Sequence, residues 1–438
     1  MEFDAVRLEQ YKAEVQKLGE ALAEKIGASA SEHGVDKEKL VKTFQQCFVN
    51  TVETTVKCMP EDEVFVITGD IEAMWLRDSS AQVAHYMPYM KEYPLLAQLV
   101  RGLVVRQFRY IEIDPYANAF NVTDNGNCWV KDETEDTPWD WERKYEIDSL
   151  AYPIRLLYDY WKATGDNTVL TEQIHRTLQI IIDLWKVEQN HEAQSPYYFR
   201  RQNCPVTDTL ACDGKGTPVA VTGMLWCGFR PSDDACTYGY LIPANLFAAE
   251  ALNYVKEIAD AYGDATLAEQ AVVMRKEILA GVEKYGMADH ETFGKIYAYE
   301  VDGLGNVNLM DDANVPSLLS LPWLRCLDAS DEIYQNTRKF VLSKENPFYY
   351  EGTAAKGIGS PHTPPSYVWH IALSMQGLTS VDDAEKNELL KLLLSTDAGT
   401  GYMHEGFDCN DPYQFTRDWF AWSNSLFALY VLNYFKLC

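Results

Sequence analysis

An all-α ring of six helical hairpins, an (α/α)6 barrel, is the architecture that three observations in this chain predict. Apolar residues recur at helical spacing along nearly the whole length. Short turns and long polar loops alternate between the helical stretches. Apart from short hairpins inside loops, no strand–helix alternation of the kind that builds a parallel sheet is present. The alternation of turns places the short ones at one end of the helix array and the long loops at the other, so the contents of the long loops should converge on one face.

Taken in order, helical spacing runs over 3–26, through Val6, Tyr11, Val15, Leu18 and Leu22, and again over 37–56, with a glycine-flanked break at 27–34. The loop 59–77 leads into helices 79–90 and 95–111, parted only by Tyr93-Pro94. The pattern then repeats. Loop 114–145 precedes helices 147–163 and 167–189, and loop 191–240 precedes helices 244–262 and 265–284. Loop 286–312, with a hairpin expected in GKIYAYEVDGLGNVN, precedes 315–323 and 332–342. Loop 343–365 precedes 366–375 and 384–395, and loop 401–418 precedes a last helix, 419–435. That last helix lacks a following partner and 37–56 lacks a preceding one, so pairing them closes the ring. Residues 1–438 then read as a single domain, with 1–34 supplying an extra helix packed outside it.

Composition narrows the function. A chain of 438 residues, 47% hydrophobic and 13% aromatic, can bury a large core. The net charge of −27 disfavours nucleic acid and anionic membrane as partners and leaves a neutral or cationic ligand. No stretch approaches a membrane span, and the first residues read as a charged amphipathic helix rather than a signal peptide. The ten cysteines form neither a disulfide scaffold nor zinc-ligand spacings, and reduced thiols fit a cytoplasmic protein. Phosphate-binding glycine loops and a histidine zinc motif are absent, so no cofactor and no metal is expected. Nothing in the pattern demands an oligomer, and a monomer is the simplest expectation.

The long loops carry the chemistry. In GFRPSDDACTYGYLIPAN, residues 228–245, Asp233 and Asp234 follow Arg230, Pro231 and Ser232. Adjacent acids in unlike surroundings can be split into one ionised and one protonated group, as a general acid requires. The plain alternative is that Asp233 or Ser232 caps the next helix. A second acidic loop, GYMHEGFDCNDPYQFTRD, residues 401–418, holds Glu405 beside His404. GDIEAMWLRDSSAQ, residues 69–82, adds Trp75 as an apolar face and Arg77 and Asp78 as hydroxyl-binding groups, with a structural ion pair as the alternative. Trp129, Trp139 and Trp141 lie among acids in the second long loop, a composition suited to stacking on a sugar whose hydroxyls need acceptors. Asp311, Asp312 and Asn314 and then His362 complete the face; the paired aspartates lack the alternating ligand spacing of a calcium loop. Two carboxylates without a metal, nucleotide or nucleophile motif point to glycoside hydrolysis, and a wide gap between loops from distant hairpins favours inversion.

GDIEAMWLRDSSAQ, GFRPSDDACTYGYLIPAN, and HEGFD with the downstream FAWSNSLFALYVL together resemble glycoside hydrolase family 125, and the likeness runs along nearly the whole chain. The resemblance implies an (α/α)6 barrel and an inverting, metal-independent exo-α-mannosidase that removes non-reducing-end α-1,6-linked mannose from oligosaccharides or N-glycan fragments. It implies an aspartate of the S-D-D segment as general acid and Glu405 as general base. Asp233 is the choice for the acid, because related six-hairpin glycosidases carry it at the first acidic position of this loop. Asp234, Arg77 and Asp78 would then grip the terminal mannose, with Trp75, Arg230, His362, His404 and Trp139 as further contacts. The alternatives are another six-hairpin carbohydrate enzyme, such as a glucosidase, trehalase or epimerase, or a catalytically silent carbohydrate-binding protein.

Overall fold

In the computed structural model, which describes residues 3–438, the helices alternate between an inner and an outer layer. Helix α1 spans Ala5–Ser29, with Asp4 accepting the Arg7 backbone N–H at 2.9 Å, and α2 spans Lys37–Thr54, capped in the same way by Asp36. The inner layer is formed by α3 (Leu76–Ala81), α5 (Asp148–Thr164), α7 (Ile242–Tyr262), α10 (His370–Thr379) and α12 (Ala421–Tyr434). The outer layer adds α4 (Pro94–Ile113), α6 (Glu172–Glu188), α8 (Ala265–Tyr285), α9 (Glu332–Val341) and α11 (Asp383–Ser395) to α2.

Sequence character sorts the layers. Outer helix α6 buries only one stripe, including Ile174, Leu178, Ile181, Ile182 and Trp185. Inner helix α12 is apolar nearly all round, AWSNSLFALYVLNY, and buries eleven of its residues, Ala421 to Ala428 and Tyr430 to Leu432. Around the inner layer α3 packs on α5, α5 on α7, and α10 on α12, while α12 returns to α3. Contact of α2 with α12 brings the first and last helices of the array together. Helix α1 lies outside, against α2 and α4. Short turns such as Gly263, at φ 89, lead from inner to outer helices, and the long loops lead back. Every inner helix therefore starts at the long-loop face, with its free N–H groups directed there.

Four local expectations are corrected. Residues 315–323 form turns rather than a helix: Pro316, Ser317 and Pro322 remove or divert helical hydrogen bonds, and Ser317 and Ser320 bond each other's backbone. This segment is held to α5 by Tyr152 and Arg155, which donate to the Val315 and Trp323 carbonyls, and to α9 by Tyr334, which donates to the Leu319 carbonyl. The stretch 79–90 is the short α3, starting earlier at Leu76, followed by a 3-10 turn, Ala84–Tyr89, that contains Pro88. The stretch 366–375 opens instead as a strand, Tyr367–Trp369, before α10. The GKIYAYEVDGLGNVN hairpin is divided: Gly294–Tyr297 pairs back with Met287–His290, and only Glu300–Val301 turns onto Val307–Asn308.

Candidate active site

Small sheets in the long loops aim the functional side chains. Met74–Trp75 pairs with Ala119–Phe120, which pairs with Asp140–Glu142, so Trp75 is fixed immediately before α3. Arg77 and Asp78 follow in the first turn of α3, both buried. The acid-bearing loop is a tight hairpin closed by the Phe229–Ala235 bridge, with the Arg230 N–H donating to the Asp234 carbonyl at 2.7 Å. Asp233 sits at its tip with φ 65, in the left-handed region that aspartate tolerates better than most residues. Capping is excluded, since α7 starts at Ile242 and its N-cap residue, Leu241, makes no side-chain cap. Pairing of Tyr367–Trp369 with Gly406–Asp408 places Glu405 at the edge of the same face.

These loops surround an inner cavity whose wall includes Trp75, Arg77, Asp78, Asp233, His362 and Glu405. An outer cleft adjoins it and is walled by Trp129, Trp141, Lys144, Arg201, Asp208 and Asp234. Ile71, Trp75, Asp233 and His362 belong to both, so they mark the boundary between the two spaces. Glu405 faces only the inner one. A third cavity, lined by the C-terminal part of α3 with Arg155, Trp323 and Arg325, has a single carboxylate, Asp159, tied to Arg325 at 2.7 Å. It offers no acid–base pair.

Electrostatics separate the acids. Arg77 donates to Glu146 at 2.6 Å, to Asp148 at 3.2 Å and to Asp233 Oδ1 at 3.2 Å, and its Nε lies 3.4 Å from Asp78. Burial would raise the Asp233 carboxyl, but Arg77, Lys144, a hydrogen bond with Glu146 and His362 outweigh it and hold it down to about 2. For Asp78 and Asp148 burial prevails over Arg77 and pushes each up to about 6. Burial alone would lower His362, yet its hydrogen bond and charge contact with Asp234, then Glu405 and Asp233, push it up to about 9. Its Nδ1 lies 3.3 Å from Asp234 Oδ1, while Asp234 Oδ2 is buried with no donor. Glu405 is buried with Arg417 Nη1 3.6 Å from its Oε1, and Arg417 is itself held by Asp70 at 3.0 Å.

Three expected contacts stand elsewhere. Arg230 reaches neither space: its Nε donates to buried Glu300 at 2.6 Å and its Nη2 to Thr237, so it braces the base of the acid loop. His404 stacks on Phe415 at 3.8 Å and donates from Nδ1 to the Arg417 carbonyl, which anchors the Glu405 loop from behind. Trp139 packs against Tyr110 and Arg106 of α4, leaving the cleft to Trp129 and Trp141. Of the paired aspartates, Asp311 accepts the N–H groups of Leu318 and Leu319, Asp312 accepts from the Ser232 hydroxyl at 3.0 Å, and Asn314 lines the inner cavity. Among the described residues no group of three or more His, Cys, Asp or Glu side chains is placed to hold a metal.

Reading by loop missed Arg417, Trp369 and Trp422 of the wall, and Glu146, Asp148 and Lys144 behind it. Glu146 and Asp148 had a signal. Like Arg77-Asp78, they lie at the start of a helix that follows a long loop.

Known proteins align with this arrangement. The family model described as "Metal-independent alpha-mannosidase (GH125)" matches residues 37–432. A Schizosaccharomyces pombe relative, the meiotically up-regulated gene 157 protein, is 39% identical over 421 residues, 91% of this chain and 83% of its own. A Streptococcus pneumoniae structure, from a family of metal-independent α-mannosidases and solved as a non-productive complex with α-1,6-mannobiose, superposes with a TM-score of 0.91 at 43% identity over 100% of both chains. A bacterial glucoamylase bound to acarbose shares the fold alone, with a TM-score of 0.53 and 11% identity over 83% of this chain and 49% of that one.

Proposed function

Because the chain belongs to glycoside hydrolase family 125, the metal-independent α-mannosidases, we propose that it removes single α-1,6-linked mannose residues from non-reducing ends, with Asp233 as general acid and Glu405 as general base. The observation that carries this reading is the position of Asp233 on the wall shared by the inner cavity and the outer cleft, with Glu405 on the inner cavity alone. A mannose in the inner cavity then has its glycosidic oxygen at the Asp233 boundary and its remaining chain in the outer cleft. In this reading the inner cavity receives one terminal sugar, which accounts for exo action.

Protonation by Asp233 breaks the C1–O bond from the cleft side. Glu405, on the far side, deprotonates the water that attacks C1, so configuration inverts. Asp78 and Arg77 supply acceptors and donors for mannose hydroxyls, and Trp75 an apolar face. The α-1,6 preference draws its support from the mannobiose held by the similar Streptococcus structure. Mannose-rich fragments of N-linked glycans, met in the cytoplasm, are the substrate source we propose; ten unpaired cysteines, with Cys128, Cys212 and Cys438 exposed, support a reducing compartment, and cell fractionation checks it.

The test uses α-1,6-, α-1,3- and α-1,2-mannobiose with NMR detection of the first anomer released. The 1,6 isomer should be cleaved best and yield β-mannose first; α-mannose as first product contradicts inversion. Asp233→Asn and Glu405→Gln should each lower kcat by ~10²–10⁴-fold with the fold retained. Intact turnover in both variants would point to a site that only binds sugar.

A further inference from the structure

Beneath the inner cavity four carboxyl groups crowd one guanidinium. Asp78, Glu146, Asp148 and Asp233 lie between 2.6 and 3.4 Å from Arg77. The first three are almost wholly removed from solvent, with side-chain exposures of 7%, 0% and 0%. Three buried carboxylates and a partly exposed fourth against one guanidinium would be costly, and the cluster lowers that cost by retaining protons. Glu146 is the member best placed to keep one. Its Oε2 accepts from Arg77 at 2.6 Å and from the Ser149 hydroxyl at 2.7 Å, while Oε1 is buried with no donor. Glu146 and Asp233 are bonded to the same guanidinium, through Arg77 Nη1 and Nη2, which brings the two carboxyl groups together. Two carboxyl groups so placed can hydrogen-bond to each other only if one of them is protonated.

We propose that Glu146 and Asp233 hold one proton between them, and that Glu146 acts as a positioning residue that loads Asp233 for protonation of the departing oxygen. This rests on the reading of Asp233 as the acid and answers a difficulty in it, since Arg77 and its neighbours hold the Asp233 carboxyl low. Burial, set against Arg77 and reinforced by Asp233 and Asp148, holds Glu146 high, so in the free site the shared proton rests on Glu146. Other groups facing the pair are Asp78 from α3, Lys144 and His362 from the loops, and Arg417 and Glu405 across the cavity. Asn118 donates to Asp233 and Glu142, and Lys144 links Asp208 and Glu142 to the Asp233 backbone.

A sugar entering the inner cavity strips water from Asp233 and favours its neutral form, drawing the proton across. Asp233 passes this proton to the glycosidic oxygen as that oxygen takes the electron pair of the C1–O bond. Glu405 accepts one proton from the water that bonds C1. The pair then regains one proton from solvent through the outer cleft and Glu405 releases one, so the cycle balances.

The experiment compares α-1,6-mannobiose, whose leaving group needs an acid, with 2,4-dinitrophenyl α-mannoside, whose leaving group does not. Asp233→Asn should lose far more on mannobiose than on the aryl substrate. Glu146→Gln keeps an amide that can bond Asp233 but has no transferable proton. It should lose about ten- to a hundredfold on mannobiose, tenfold for each unit by which the acid's pKa falls, with a much smaller loss on the aryl mannoside. The alkaline limb of its kcat/KM profile should move to lower pH. Ser149→Ala, a small change that removes one donor to Glu146, should move that limb upward by about half a pH unit. Equal losses of Glu146→Gln on both substrates with an unmoved limb would overturn the shared proton while leaving Asp233 as the acid. If that variant does not fold, an unmoved limb in Ser149→Ala overturns it instead. Equal losses in Asp233→Asn would remove the acid assignment and the proposal together.

Discussion

Asp233 and Asp234 are neighbours in the chain, yet only Asp233, at φ 65, borders the inner cavity as well as the outer cleft. Asp233 meets the guanidinium of Arg77, whereas Asp234 meets the imidazole of His362. That second contact has a pH signature. His362 has a folded-state pKa of about 9 against an ordinary 6.5, so the folded form binds its proton more tightly than the unfolded chain. The stabilisation is fully present below pH 6.5 and is lost as pH rises through about 9. Thermal melts of the wild type and His362→Asn at pH 6, 7.5 and 9.5 should show a gap in Tm that is widest at the first and closed at the last. Salt should narrow the gap, because the imidazole is 41% exposed. A gap that stays constant across this window would show that His362 contributes packing and no charge. Which of two adjacent aspartates meets which base was not readable from S-D-D, since it depends on one backbone dihedral and on partners from other hairpins.

The helices and strands deliver these residues through their ends. Arg77 and Asp78 lie in the first turn of α3, Glu146 and Asp148 flank the start of α5, and Trp422 opens α12. The short strands serve as registers. Gly69 bridges to Phe420 with φ 137, and a Cβ there would lie 2.4 Å from the Trp419 carbonyl oxygen. Gly69→Ala should therefore push the two segments apart, costing about 1–3 kcal/mol of stability. It should also loosen Asp70, hence Arg417, hence Glu405, so that kcat falls more than KM rises. Urea unfolding and steady-state kinetics measure both, and an unchanged melt would mean the loops tolerate a wider spacing. Helices of 17 residues or more, such as α4, α6 and α8, were readable from periodicity because they bury one stripe. Residues 315–323 were not, since the apolar run there is held by serine side chains and turns that mimic helical spacing without its hydrogen bonds.

For the molecule as a whole, contact of α2 with α12 joins the two ends of the array, and the six long loops share one face as a consequence. The family to which the chain belongs works without a metal, so exhaustive dialysis against EDTA should leave kcat and KM unchanged. Activity lost to chelator and restored by calcium would contradict that. From its residues alone the chain established the ring, the face that carries the chemistry, and a set of six wall residues: Trp75, Arg77, Asp78, Asp233, His362 and Glu405. These were legible because hydrophobic period and turn placement are local properties, and because acids, tryptophans and arginines cluster in loops where no core needs them. Tertiary packing alone decided that Arg230 braces Glu300, that His404 stands behind Glu405, and that Trp139 belongs to α4. It also gathered four carboxyl groups around Arg77. Charge pairing and burial act between residues far apart in the chain, and no spacing along a single strand of sequence records the distance between them.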